Sequence, residues 1–203
     1  QRRLVMEELL AHQLSLLQVR EQIQARQALP LLPTGDLTER FLEELPFNLT
    51  GAQRQGMKEI RQDLSQPLPM LRLVQGDVGS GKTVVAALAA LQAIGAGAQV
   101  ALMAPTEILA EQHYNNFRGW LEPLGIRLAW LSGKVKGKAR QEALDAVASG
   151  EARVAIGTHA LFQDDVKFNR LALVIVDEQH RFGVHQRLAL REKGVGGSLA
   201  PHQ

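Results

Sequence analysis

Between an apolar run, Leu71 to Gln75, and a Gly-free run, Val84 to Ile94, lies the string Gly76-Asp77-Val78-Gly79-Ser80-Gly81-Lys82-Thr83. No other stretch narrows the choice of folds as far. Its spacing is the Walker A pattern, whose glycines let backbone amides turn inward around an anion while the following helix N-terminus adds a partial positive charge. Lys82 is placed to reach the β- and γ-phosphates of a nucleotide, and Thr83 to set its hydroxyl on Mg²⁺. With average residue usage, chance supplies roughly 0.007 such matches in a chain of about 200 residues. The context predicts strand, loop, helix, with the strand at Leu71 to Gln75.

The remainder beyond Pro46 alternates short β-rich runs with helical runs, the mark of an α/β fold whose mostly parallel sheet is covered by helices on both faces. Further strands are expected near Gln99 to Ala104, Arg127 to Leu131, Arg153 to Gly157 and Leu171 to Val176, with helices between them. Ala139 to Ser149 reads as a helix closed by Gly150 as a left-handed cap, and Glu107 stands in the first turn of the helix after Thr106. At 203 residues and 45% hydrophobic content, one main domain with a lead segment is expected. That lead runs from Leu4 to Gln27 without Gly or Pro. Its seam of Val5, Leu9, His12, Leu16, Val19 and Ile23 at alternating spacings of four and three predicts a helix that packs on its own domain or on a preceding one. Pro30, Pro33 and Gly35 then break it, which divides the chain into a helical lead, residues 1–45, and a compact domain, residues 46–203.

Composition excludes more than it selects. The 23 basic and 21 acidic residues leave a formal net charge of +2, too small to signal nucleic acid by itself. Without cysteine there is no disulfide framework and no thiolate metal site, which fits a reducing, cytoplasmic setting. The most apolar stretch, Val84 to Ala104, is interrupted by Gln92, Gly95, Gly97 and Gln99 and does not read as a membrane span. Glu7, Glu8 and His12 stand where an export signal would need an apolar core.

Leu171 to Val176 ends in Asp177-Glu178-Gln179-His180. The carboxyl end of a parallel strand is where ligands bind. Asp177 is placed there to hold Mg²⁺ through water, and Glu178 to orient and deprotonate an attacking water. Gln179 and His180 are candidates to sense the γ-phosphate. Taken alone, the string would be a strand followed by a polar turn; the phosphate loop about a hundred residues earlier favours the catalytic reading.

These two signatures together resemble those of the superfamily 2 DExH helicases, whose fold is a RecA-like P-loop NTPase domain. Leu45-Pro46-Phe47-Asn48-Leu49-Thr50-Gly51-Ala52-Gln53 resembles that family's adenine-recognition segment. On that resemblance Phe47 stacks on the base and Gln53 hydrogen-bonds its edge, although Thr50 and Gln53 also spell a capping box for a helix from Gly51 to Leu64. Met103 to His113, running MAPTEILAEQH, resembles motif Ia. Leu131-Ser132-Gly133 and Gly157-Thr158-His159-Ala160-Leu161-Phe162 stand in the places of later DNA-contacting segments. The resemblance makes Pro105, Thr106, Glu107, Gly133, Thr158 and His159 candidates for contact with phosphates rather than bases. Thr106 is also an N-cap in any case.

Asp177 to Arg187, running DEQHRFGVHQR, is similar to the RecG family of branched-DNA helicases, with Arg181 and Arg187 as candidates to couple nucleotide state to DNA. The transcription-repair coupling translocases, the near relatives, typically carry an aromatic residue where Ser80 stands and a Glu where Gln179 stands. This likeness implies ATP and Mg²⁺ as cofactors, and branched duplex DNA held through its backbone as partner. It also implies a wedge domain and a second RecA-like domain in the same protein, and a role in fork reversal and branch migration during repair and recombination. The chain stops at Gln203, before that family's Ser/Thr-Ala-Thr strand, so the expectation is a fragment that binds ATP weakly and does not unwind DNA. A P-loop ATPase that never meets nucleic acid would explain the phosphate loop and Asp177, but not the APTEILAEQH and GTHALF strings. Lys134, Lys136, Lys138 and Arg140 form a local positive run that reads either as a phosphate-attracting patch or as a solvated loop. Phe117 and Trp120 follow helical spacing and Trp130 sits in a strand, so core packing is expected for them. The six histidines show no metal-ligand spacing.

Overall fold

The computed structural model describes residues 27–77, 79–178 and 199–203. Its strands are the runs that β-branched and apolar residues dominate. They are β1 (Gln99–Met103), β2 (Arg127–Leu131), β3 (Ala152–Gly157) and β4 (Leu171–Val176), joined in one parallel sheet of order β2-β3-β1-β4. All five residues of β1 are buried, because a parallel sheet is covered on both faces and neither side of a central strand meets water. Side chains alternate accordingly. Val100, Leu102, Val154 and Ile156 enter one core, while Ala101, Met103, Ala155 and Leu131 enter the other.

The first core is closed by helices α1 (Leu37–Glu44), α2 (Gly51–Leu64), α3 (Lys82–Gly95) and α4 (Glu107–Leu121), through Phe41, Ile60, Leu88 and Phe117 respectively. The second is closed by α5 (Gly137–Ser149) through Ala146 and Val147, and by a 3₁₀ turn at His159–Phe162 through Leu161. Helices therefore lie on both faces, as expected. α3 is buried nearly all round because it sits between the sheet and α1 and α2. Its one buried polar side chain, Gln92, donates from Nε2 to Leu31 O at 2.6 Å.

Local chemistry sets the helix ends. At the start of α2 the Thr50 hydroxyl accepts from the Gln53 amide, and Gln53 Oε1 accepts from the Thr50 amide, the reciprocal capping box. Thr106 Oγ1 caps α4 by accepting from Leu109 N. α5 closes on Gly150 at φ 80°, a left-handed cap, and starts two residues earlier than its sequence suggests. Phe117 and Trp120 pack together and against Phe41, and Trp130 packs on Tyr114, so these rings belong to the interior.

One expected element does not form. Leu71 to Gln75 is extended but is not a strand, and Leu71, Leu73 and Val74 are exposed. A strand needs a ladder partner. Gln203 N donates to Met70 O and Arg72 N donates to Gln203 O, both near 3.0 Å, while His202 bridges to Leu173 of β4. Among the described residues no backbone ladder continues past Arg72. Arg72 still anchors the segment, forking onto Asp63 and Glu59 of α2 at 2.7 Å each.

Residues 27–45 pack into the domain rather than beside it. Leu31 and Phe41 are buried in the same core as α3, and Leu31 N donates to Leu64 O. The lead helix expected at Leu4 to Gln27 lies almost wholly outside the described residues. No helix among those described is long and apolar enough to cross a membrane.

Candidate nucleotide site and strand-end rim

Parallel pairing puts every strand's carboxyl end on the same side of the sheet. Leu131, Gly157, Met103 and Val176 stand side by side in register. The row is extended by Ala104 N donating to Gly157 O and by Asp177 N donating to Met103 O. Ser132-Gly133, Thr158-His159, Ala104-Pro105-Thr106 and Asp177-Glu178, which are separated in sequence by tens of residues, thus follow one another along a single rim. At Gly157 a side chain is impossible, since a Cβ would collide with the backbone carbonyl of Leu131.

The phosphate loop leads into α3, which packs on the sheet. Gly79 and Gly81 take φ of 82° and 79°, conformations that only glycine adopts without strain. A Cβ at Gly76 would meet Ser80 Oγ at 2.6 Å, and one at Gly81 would strike Gln53 Nε2. Lys82 begins α3 with its ammonium folded over the loop, donating to Gly76 O at 2.6 Å and Asp77 O at 2.9 Å. Gln53 Nε2 donates to Ser80 O at 2.8 Å, so the residue that closes the α2 cap with its oxygen also latches the loop with its nitrogen. Phe47 is 47% exposed and free to offer a ring face. Val78 lies outside the described residues.

Asp177 follows the last residue of β4. Its carboxyl is held below the ordinary carboxylate range, first by a hydrogen bond from His113, then by the positive field of His113, the Glu178 amide and the Lys82 charge, against burial acting the other way. Lys82, from the head of α3, adds the smallest of these effects. His113 Nε2 lies 2.7 Å from Asp177 Oδ2, and Glu178 N donates to Asp177 Oδ1 at 2.9 Å. Glu178 is the one described non-glycine residue at positive φ, 51°. Such a backbone costs roughly 1–2 kcal/mol and concentrates at functional sites. Gln179, His180, Arg181 and Arg187 lie outside the described residues.

Along the rim, Thr106, Gly133 and His159 are exposed and Pro105 and Glu107 half-buried. Thr158 departs from expectation: at 2% exposure, with its amide donated to Leu131 O and its hydroxyl buried, it offers a phosphate nothing in this conformation. Of the basic run, Arg140 is committed to Asp165 at 2.7 Å and to Gln163. His113 stands in the sequence only as the last letter of MAPTEILAEQH. Its signal was there: it falls on the buried stripe of α4 with Ala110, Phe117 and Leu121, where a polar side chain requires a partner.

The donor set suits a hard divalent cation, a hydroxyl from Thr83 and a carboxylate from Asp177 beside a loop shaped for phosphate. Among the described residues no cluster of three or more His, Asp or Glu forms an all-protein cage. The family model of the DEAD/DEAH box helicases matches residues 50–194. The chain belongs to that family. DEAD/DEAH box helicases bind nucleotide, typically with a divalent metal. The chain is 64% identical to the ATP-dependent DNA helicase RecG of Pasteurella multocida and 61% to that of Escherichia coli K12, over all 203 of its residues and 29% of each relative. It is 47% identical to RecG of Aquifex aeolicus over 99% of its length and 25% of that protein. The chain therefore spans under a third of these relatives. A solved structure of RecG bound to a three-way DNA junction superposes with a TM-score of 0.84 at 41% identity, covering 97% of this chain and 26% of that one. A hypothetical ATP-dependent RNA helicase from Sulfolobus tokodaii, at 20% identity and a TM-score of 0.54, shares the fold.

Proposed function

We propose that this chain is the ATP-binding motor domain of a branched-DNA helicase, which couples ATP hydrolysis to translocation on duplex DNA, fork reversal and branch migration. The observation that carries the reading is a loop with left-handed glycines and Lys82 at the head of α3, in one fold with Asp177 at the end of β4 and the strand-end segments in a row. The high identity to RecG proteins and the likeness to a junction-bound RecG support the choice of branched DNA.

In this reading Lys82 leaves the carbonyls of Gly76 and Asp77 for the β- and γ-phosphates of ATP, while the loop from Gly76 to Gly81 wraps them. Thr83 and, through water, Asp177 hold Mg²⁺, which when bound neutralises charge on the phosphates. Glu178 orients and deprotonates the attacking water, and Gln179 and His180 report the γ-phosphate. Phe47 and Gln53 take the adenine. Pro105, Thr106, Glu107, Gly133 and His159 face the DNA backbone, with Arg181 and Arg187 coupling the two ligands. Residues 1–45, of which 27–45 pack on the motor core, lead from a wedge domain, and a second RecA-like domain closes over the nucleotide, supplying an arginine worth about 10³ to 10⁵ in rate in related NTPases. The setting is cytoplasmic.

The test compares this chain with a longer protein that joins it to the further segments of its relatives. The chain alone binds Mg²⁺·ATP weakly and does not unwind DNA, whereas the longer protein hydrolyses ATP faster when given forked DNA and loses that activity on Lys82→Ala. Hydrolysis by the longer protein that no DNA stimulates would overturn the proposal.

A further inference from the structure

The carboxylate of Asp177 is held on both oxygens. Oδ1 accepts from the Glu178 amide, one residue along the chain, and Oδ2 accepts from His113 Nε2 at 2.7 Å, from a different element 64 residues earlier. A lone Asp at a strand end can swing about χ1 among staggered rotamers. The second bond fixes one of them. Because Asp177 is an acceptor, Nε2 carries the hydrogen. The His113 side chain is 15% exposed and its Nδ1 is buried without a hydrogen-bond partner among the described residues. The ring's other nitrogen thus satisfies nothing in the core. The imidazole is placed for the carboxylate alone.

The helix that delivers it matters as much as the ring. α4 starts at the rim, with Thr106 capping it and Glu107 in its first turn. Its stripe of Ala110, Phe117 and Leu121 locks it against the core. His113 stands seven residues beyond the cap, about 10 Å along the axis, and projects from that same packed side. One rigid helix therefore joins the exposed strand-end segment to the carboxylate at the nucleotide site.

We propose that His113 is a positioning residue for the metal carboxylate: it sets the Asp177 rotamer that receives Mg²⁺, and through α4 it ties that rotamer to the Pro105–Glu107 end of the rim. The inference rests on reading Asp177 as the metal carboxylate. Outer partners that orient a metal-binding side chain typically change metal affinity 10- to 100-fold when removed.

The experiment titrates the 203-residue chain with Mn²⁺ in the presence of a non-hydrolysable ATP analogue, following free Mn²⁺ by electron paramagnetic resonance. Nucleotide binding in excess chelator and the melting temperature are measured alongside. His113→Ala is expected to weaken Mn²⁺ binding about 10-fold while metal-free nucleotide binding holds. His113→Gln, whose amide N–H reaches as far as Nε2, restores binding to within about threefold, whereas the shorter His113→Asn does not. Asp177→Asn serves as the control. If Asp177→Asn leaves Mn²⁺ affinity unchanged, the metal-carboxylate reading itself fails. If Asp177→Asn weakens it and His113→Ala does not, the positioning role alone is overturned. Should His113→Ala not fold, the Gln and Asn variants decide: equal Mn²⁺ affinities overturn the proposal, and loss in Asn alone supports it.

Discussion

Gln53 performs two separable jobs, and one atom distinguishes them. Its Oε1 accepts from Thr50 N at 2.8 Å to close the α2 cap, and its Nε2 donates to Ser80 O at 2.8 Å to hold the phosphate loop. Gln53→Glu keeps an acceptor for the cap and gains from the helix dipole in the first turn, but it removes the donor and sets a carboxylate against a carbonyl. Losing one neutral hydrogen bond costs about 1 kcal/mol, and the added repulsion brings the expected loss of Mg²⁺·ATP affinity to about 5- to 10-fold. Stability should hold to within about 0.5 kcal/mol. Gln53→Ala loses both jobs, so its affinity falls similarly and its melting temperature drops by about 2–4 °C, the effect of about 1 kcal/mol in a domain of this size. Calorimetric titration with Mg²⁺·ATP and with Mg²⁺·tripolyphosphate, beside thermal melts of the three proteins, measures each term. A loop latch weakens both ligands in Gln53→Glu, while an adenine contact alone weakens only ATP. Wild-type affinity for tripolyphosphate in Gln53→Glu, or a melting temperature as low as that of Gln53→Ala, would refute the reasoning.

Gly81→Ala forces a Cβ into Gln53 Nε2 at a backbone φ of 79°; it should lower the melting temperature by a few degrees and Mg²⁺·ATP affinity at least 10-fold, read in the same two assays. His202 is buried, accepts at Nδ1 from Met70 N and donates from Nε2 to Leu29 O, and burial first of all pushes its pKa below the ordinary histidine value. The native state therefore keeps it neutral while the unfolded chain protonates near pH 6.5: its contribution is complete above that value and declines as pH falls toward the depressed native pKa, by at most about 1.4 kcal/mol per unit. Melting curves from pH 7.5 to 5 should fall more steeply for the wild type than for His202→Gln, and parallel curves would contradict the assignment. In the longer protein, Glu178→Gln should slow single-turnover hydrolysis by about 10² to 10⁴ with ATP affinity preserved; unchanged turnover, followed by phosphate release, would remove Glu178 from the mechanism.

What could be read from the chain before its structure was local in sequence or periodic. Leu171 to Val176 is a continuous apolar run because β4 is covered on both faces, and the Thr50–Gln53 spacing announces its cap because three residues separate the partners. Gly150 likewise marks its own helix end. Interactions between distant residues left no such trace. Leu71 to Gln75 has a strand's composition, yet strand formation is a property of a pair, and among the described residues only Met70 and Arg72 find a backbone partner there. Leu31, between Pro30 and Pro33, and Phe41 lie in what reads as a linker, but both are core residues because α3 needs a cover on its outer face. Gln99 would pass for an ordinary polar strand start, although its amide donates to Val147 O and Ala152 O and accepts from Arg170 N, joining the end of α5, the start of β3 and the residue before β4. The same holds at the site. The glycines, lysine and acidic pair can be read singly because each belongs to a contiguous motif, whereas His113 stands out only when α4 sets it beside Asp177. A residue whose function is to orient another is therefore found by asking which buried polar atoms touch the site, and on that criterion His113 ranks with the motif residues themselves.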